Sequence, residues 1–254
     1  MKHLPNILTL ANLFCGTLAI IFALHAPSFI ATYQGQDYMV TAPPPVYWAS
    51  VMIGIAAICD FLDGFAARLL KVSSPIGKEL DSLADVVTFG VAPGMIMYQL
   101  LRGAWMQQPD AMEVSLLSVL PALLIPCFAA LRLAKFNLDE RQHTEFRGVP
   151  TPAIGLLIAS FPLLMLYDHT VLHVWLQTIW LLYVLIILLC ILMVCDIPFF
   201  SLKIKGFSWK NNVLRYVLII LVLISIPFLK WGVVAFAFAL YVVLSLGKYW
   251  FFPD

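Results

Sequence analysis

The sequence predicts an all-α integral membrane protein with about eight transmembrane helices. Of its 254 residues, 62% are apolar and 11% charged, and the mean hydropathy is +0.94, far from the averages of a soluble domain. The apolar residues fall in stretches near the roughly 17 to 25 residues needed to cross the hydrocarbon of a bilayer. Backbone facing lipid must satisfy its own hydrogen bonds, and no ten-residue alternating pattern of a barrel occurs, so every span is read as a helix and no strands are expected.

The first span, 4 to 24, follows Lys2 and precedes small residues near Ala26, as a signal peptide would. Its length, the lack of a small-x-small cleavage site, and Asn6, Thr9 and Asn12 spaced by threes favour a retained helix with one polar face. Residues 34 to 45 form the longest polar break, ending in Pro43, Pro44 and Pro45, a stiff extended lead into the second span, 46 to 69. A short turn joins that span to the third, 80 to 101. The remaining spans are 114 to 135, 152 to 167, 171 to 194, 212 to 228 and 231 to 250. With no internal repeat, low-complexity tract or long linker, residues 1 to 254 read as a single membrane domain.

Charge sets the expected orientation. Lys2, Arg68, Lys71, Lys78, Arg132, Lys135, Arg141, Arg147, Lys203, Lys205, Lys210, Arg215 and Lys248 fall on one side, which is 13 of the 15 basic residues; Arg102 and Lys230 fall on the other. Basic residues accumulate on the cytoplasmic side of short loops. Both termini and the turn after the second span are therefore assigned to the cytoplasm, in a bacterial-type cytoplasmic membrane. The net charge of +1 hides this asymmetry and offers no basic surface for nucleic acid.

Cys15, Cys59, Cys127, Cys190 and Cys195 lack CxxC spacing and partnering histidines and read as small core residues. His3, His25, His143, His169 and His173 are scattered or sit at segment ends; His169 and His173 share helical spacing, but no metal pair is expected there.

Chemistry concentrates between residues 60 and 85, in the pattern D-x2-D-G-x2-A-R-x8-G-x3-D-x3-D. Asp60 and Asp63 are three apart and Asp81 and Asp85 four apart, so each pair lies on one face of a helix. Ionised acids near hydrocarbon are costly. As helix caps or partners of arginine they would have Arg68 alone to neutralise four of them. Two divalent cations would balance all four and leave coordination positions for phosphate oxygens, and an all-oxygen ligand set favours Mg2+ or Mn2+. Paired ions of this kind are the usual clamp for phosphoryl chemistry. Gly64, Ala67 and Gly77 keep the same faces open for a ligand, although small residues in membrane helices also serve helix packing.

This pattern resembles, at every fixed position, the signature of the CDP-alcohol phosphotransferases. The resemblance implies a six-helix catalytic core, here residues 1 to 195, with the helices in 196 to 254 as additions. It implies that Asp60, Asp63, Asp81 and Asp85 ligate two metal ions and that Asp85 doubles as general base. Gly64, Ala67, Arg68 and Gly77, with Asn6 and Thr9, would bind CDP-diacylglycerol. The stretches LPNILTLANLFCGTLAII, LRLAKFN and GVPTPA resemble the serine-accepting branch of that family, in which the phosphatidyl group passes to L-serine and CMP leaves. Many relatives accepting polyol phosphates carry a basic residue where this chain has Asn12. Arg132 and Lys135, three apart at a cytoplasmic helix end, can meet a lipid phosphate or a serine carboxylate, or simply snorkel to headgroups; Asn12 and Asn137 are grouped with them as candidate serine or phosphate ligands. The likeness leaves room for a homodimer.

Other readings are the same chemistry with glycerol 3-phosphate or inositol phosphate, an ion-coupled transporter, and a membrane prenyltransferase. The acids sit in one hairpin and no inverted repeat is evident, against a transporter. Prenyltransferases normally carry two separated acid-rich motifs, and this chain has one.

Overall fold

The computed structural model describes residues 3–33, 36–72, 74–109, 111, 114–138, 146–167, 171–199 and 209–251. Helix α1 spans Leu4–Leu24 and α2 spans Val46–Leu69. Helix α3, Pro75–Asp85, runs through a π-helical turn, Val86–Val91, into α4, Ala92–Trp105. Two 3-10 turns, Leu116–Ser118 and Leu120–Leu123, lead into α5, Leu124–Leu138. Next come α6, Thr151–Tyr167; α7, Val171–Leu176; α8, Ile179–Val194; α9, Trp209–Leu229; and α10, Val233–Phe251.

Among the described residues, five helical stretches are long and apolar enough to cross a membrane: Leu4–Leu24, Val46–Leu69, Pro75–Trp105, Leu120–Leu138 and Asn212–Trp250. Thr151–Tyr167 and Ile179–Val194 are shorter apolar helices. The last long stretch, 39 residues, would extend about 58 Å as one straight helix, far beyond a bilayer. It instead breaks at Lys230–Gly232, where Lys230 takes a φ of 45°, and folds into the packed pair α9 and α10. The protein is thus a multi-pass, all-α membrane protein.

Three expectations are corrected. Strands do occur: β1, Ser28–Tyr33, pairs antiparallel with β2, Gln36–Thr41, and β3, Phe146–Arg147, pairs with β4, Pro198–Phe199. The requirement for self-satisfied backbone holds only in hydrocarbon; these strands join helix ends, and the alternating β-branched and aromatic residues of 28 to 41 suit a hairpin. The span 171 to 194 is broken, with α7 ending before the polar pair Gln177 and Thr178. The cysteines are not uniformly core residues: Cys190 is buried, Cys127 exposed and the other three intermediate, all five free. His173 Nε2 lies 2.9 Å from Gln177 Nε2, while His169 is outside the described residues.

Water does not drive helices together inside lipid, so close approach depends on small residues. A Cβ on Gly16 would collide with Thr88 of the π-helical turn, and one on Gly155 would meet Phe89 at 3.0 Å. On the opposite side a Cβ on Gly90 would meet Ala129 at 2.9 Å, and one on Gly94 would meet Pro126 at 2.8 Å. Helices α1, α5 and α6 thereby close around the segment that follows Asp85, and Phe89, Ile96, Met97 and Leu101 fill the centre without exposure.

Candidate active site

The buried stripe of α1 runs Pro5, Thr9, Asn12, Gly16, Ala19 and Ala23, and it packs along α2, whose C-terminal half carries Asp60 and Asp63. The chain then reverses sharply. Lys71 takes a left-handed φ of 50°, Val72 N donates to Ala67 O at 3.0 Å and Lys71 N to Arg68 O at 3.3 Å, the paired bonds that close a helix C-terminus in this way. Ser74 caps the next helix, its Oγ accepting from Gly77 N at 2.9 Å, with Pro75 at the first helical position. This capped turn brings Asp81 of α3 back against the acids of α2.

Asp60, Asp63 and Asp81 each present an oxygen, and the three lie within 4.8 Å of one another. Asp85 follows one turn after Asp81, is 9% exposed, and acts electrostatically on Asp60, Asp81 and Asp63. Asp81 Oδ1 and Asp85 Oδ1 are buried and accept no hydrogen bond among the described residues. Hard oxygen donors gathered at this distance, Asp81 Oδ1 among them without a protein donor in the described residues and Asp85 Oδ1 one turn on likewise, fit a divalent cation, and these carboxylates can hold one.

Beside the acids opens a cavity of about 240 Å3, lined by Pro5, Asn6, Thr9, Asp63, Gly64, Ala67, Val72, Ser74, Gly77, Lys78 and Asp81. Asn6, Thr9, Gly64, Ala67 and Gly77 were singled out from the sequence. Pro5, Val72, Ser74 and Lys78 were not; Lys78 stood beside Gly77 and Ser74 opened a Ser-Pro helix start, but neither repeats in the acid pattern. A Cβ on Gly64 would meet no atom within 4 Å, so no helix contact requires a glycine there and the open space belongs to the cavity. Gly77 faces Asn6 Oδ1 and Ser74 Oγ.

The Thr9 hydroxyl donates to Asp63 Oδ2 at 2.7 Å, so this side chain orients an acid as well as lining the cavity. Arg68 is exposed and folds back one turn, its Nε donating to Gly64 O at 2.9 Å. Arg132 is 6% exposed and interacts electrostatically with Asp85. Lys135 faces outward. Asn137 donates to Ser82 Oγ at 2.9 Å and so ties α5 to α3. Asn12 is fully buried, and neither its Oδ1 nor its Nδ2 has a partner among the described residues.

The family model described as CDP-alcohol phosphatidyltransferase matches residues 2–244. The chain belongs to that family. Among curated relatives of this phosphatidyltransferase, a CDP-diacylglycerol–serine O-phosphatidyltransferase of Bacillus subtilis (strain 168) is 34% identical over 163 residues, 63% of this chain and 77% of that protein. The protein of the same name from Helicobacter pylori (strain 26695) is 31% identical over 228 residues, 89% of this chain and 81% of that one. An archaetidylserine synthase of Methanothermobacter thermautotrophicus is 28% identical over 169 residues, 65% of this chain and 60% of that one.

Proposed function

We propose that this protein transfers the phosphatidyl group of CDP-diacylglycerol to the hydroxyl of L-serine, giving phosphatidylserine and CMP at the cytoplasmic face of a bacterial-type membrane. The observation that carries the reading is the convergence of Asp60, Asp63 and Asp81 within 4.8 Å beside a cavity, in a chain of this family whose curated relatives are named for serine as acceptor.

Asp60, Asp63 and Asp81 hold one divalent cation in this reading, and Asp85 joins them in holding a second. Mg2+ or Mn2+, when bound, supplies positive charge for the diphosphate and for the oxygen of departing CMP. Gly64, Ala67 and Gly77 leave room for the nucleotide diphosphate, Asn6 and Lys78 face it, and the free guanidinium nitrogens of Arg68 meet phosphate oxygen. The acyl chains stay in lipid. Asp85 takes the proton of serine's hydroxyl as that oxygen bonds to the lipid-side phosphorus and the bond from this phosphorus to CMP breaks. Arg132 receives the serine carboxylate, and Asn12, with no second positive charge, suits an acceptor that carries no phosphate. The catalytic core is residues 1 to 195.

Purified protein supplied with CDP-diacylglycerol and, in turn, serine, glycerol 3-phosphate, inositol phosphate or choline decides the acceptor. Serine should give phosphatidylserine and CMP in equal amounts, abolished by chelator and restored by Mg2+ or Mn2+. Equal rates with all four alcohols overturn the acceptor assignment, and full activity in metal-free buffer overturns the metal assignment.

A further inference from the structure

Thr151 opens α6 and is wholly buried, and its Oγ1 has no hydrogen-bond partner among the described residues. A hydroxyl left unpaired in an interior is costly. Packing places it beside the acids. Trp105, at the end of α4, donates from Nε1 to the Tyr183 hydroxyl near the start of α8 at 3.1 Å, whereas Val149, just ahead of α6, donates from its backbone to Leu192 O near the end of α8 at 2.8 Å. Measured along α8, helices α4 and α6 therefore run in the same direction, and α6 starts at the end of the bundle that carries Asp85. Their contact sets the register: a Cβ on Gly155 would stand 3.1 Å from Phe89 Cα. Thr151 lies four residues before Gly155, and Asp85 four before Phe89. Each is thus about one turn nearer the start, on the face that makes the contact, and the two meet at one level on facing sides of α6 and α3. From a third side comes α5, whose Ala129 packs on Gly90; Arg132, three residues on and 6% exposed, enters at this same level. Asp85 Oδ1 and Arg132 Nε are, like the Thr151 hydroxyl, buried without hydrogen-bond partners among the described residues.

We propose that Thr151 and the N-terminus of α6 form, with Arg132, the subsite for the acceptor's carboxylate. This deepens the serine reading above and rests on it. In L-serine the carboxylate carbon is two bonds from the carbon bearing the reacting hydroxyl, so an acceptor whose hydroxyl meets Asp85 must hold its carboxylate within a few ångströms of the acids. An anion there needs positive potential. The Arg132 guanidinium and the positive end of α6, a helix of 17 residues, supply it. Pro150 and Pro152 flank Thr151 without an N–H to offer, and Ala153 N and Ile154 N are spent on Pro150 O at 3.1 and 3.3 Å, so the Thr151 hydroxyl is the directed donor of this helix start. A valine of the same shape would fold at least as well and bind the acceptor worse.

The test uses the full-length protein with CDP-diacylglycerol. Thr151→Val removes the donor and keeps the shape. Losing a hydrogen bond to a charged group, it should raise the KM for serine about tenfold, with kcat and the KM for CDP-diacylglycerol within about twofold of the parent. Its melting temperature in detergent without substrates should match or exceed the parent's, because an unpaired buried hydroxyl is gone. Thr151→Ser, which retains the hydroxyl, should keep the serine KM within about twofold. Serinol, in which a hydroxymethyl group replaces the carboxylate, should compete with serine no less well in Thr151→Val than in the parent. An unchanged serine KM in Thr151→Val overturns the proposal, as does a lowered melting temperature with an equal rise in both KM values, which marks a structural role. Equal weakening of serine and serinol overturns the carboxylate assignment. A parent protein that makes no phosphatidylserine overturns the functional reading and this proposal together; a serine-active parent with unaffected variants overturns the proposal alone.

Discussion

Asp85 stands apart from the three acids before it. Asp60, Asp63 and Asp81 share a space within 4.8 Å, whereas Asp85 sits where α3 runs into the π-helical turn that packs on α5, interacts electrostatically with Arg132, and keeps one buried oxygen without a partner among the described residues. A carboxylate held there can accept a proton, and its amide cannot. Asp85→Asn should lower kcat about a thousandfold, within the usual range for a general base, while CDP-diacylglycerol affinity changes less than about fivefold. Release of labelled CMP and equilibrium binding measure the two; near-normal turnover would exclude Asp85 as the base. Thr9 makes a different case, because its hydroxyl is bonded to Asp63 Oδ2 and so acts on whatever that acid holds. Groups that orient a metal ligand commonly contribute ten- to hundredfold to affinity. Thr9→Val should therefore raise the Mg2+ concentration for half-maximal activity about tenfold, with turnover recovered at high Mg2+. An unaltered metal titration would leave Thr9 with no such role.

Two helix-level devices set where those side chains meet. The first is the reversal after α2, where Lys71 occupies a left-handed conformation that costs a residue with a Cβ about 1 to 2 kcal/mol and costs glycine little. Lys71→Gly should raise the unfolding midpoint in detergent without changing KM; a fall would mean that the lysine side chain stabilises the turn. The second is the contact of α5 with the helix beyond Asp85, where a Cβ on Gly90 would stand 2.9 Å from Ala129 Cβ. Neither atom can swing aside, so Gly90→Ala must push α5 outward, and Arg132 with it. It should destabilise by about 1 to 3 kcal/mol and reduce turnover, while Gly103→Ala, where nothing lies within 4 Å, serves as a neutral control. Equal behaviour of the two variants would refute the packing argument.

Across the molecule, what could be read from the sequence was local. Hydropathy alone placed the first two helices at 4 to 24 and 46 to 69, the bounds observed for α1 and α2, because α1 holds no charged residue and the few charges of α2 fall toward its C-terminal end. It placed the third span late, at 80, because Lys78, Glu79 and Asp81 make the first turns of α3 polar while Ser74 and Pro75 start the helix at Pro75. The acid spacing foretold shared faces, and a capped turn then brought the two faces together. Contacts distant in sequence left no periodic mark: nothing in residues 131 to 137 points to Ser82, or in residues 5 to 12 to Ser74. Orientation is the whole-molecule property for which the sequence offers charge alone, the spans read from hydropathy putting 13 basic residues on one expected side and two on the other. The side holding Lys71 must be the side where the water-soluble acceptor enters, since that turn borders the cavity. Met39, 81% exposed on the hairpin, lies between α1 and α2 at their opposite ends. In intact bacterial cells a membrane-impermeant maleimide should label Met39→Cys above the background of the five native cysteines and spare Lys71→Cys. Inverted vesicles should reverse the pattern. Labelling of Lys71→Cys in intact cells would place the acids on the outer face, away from any cytoplasmic supply of nucleotide-activated lipid and serine.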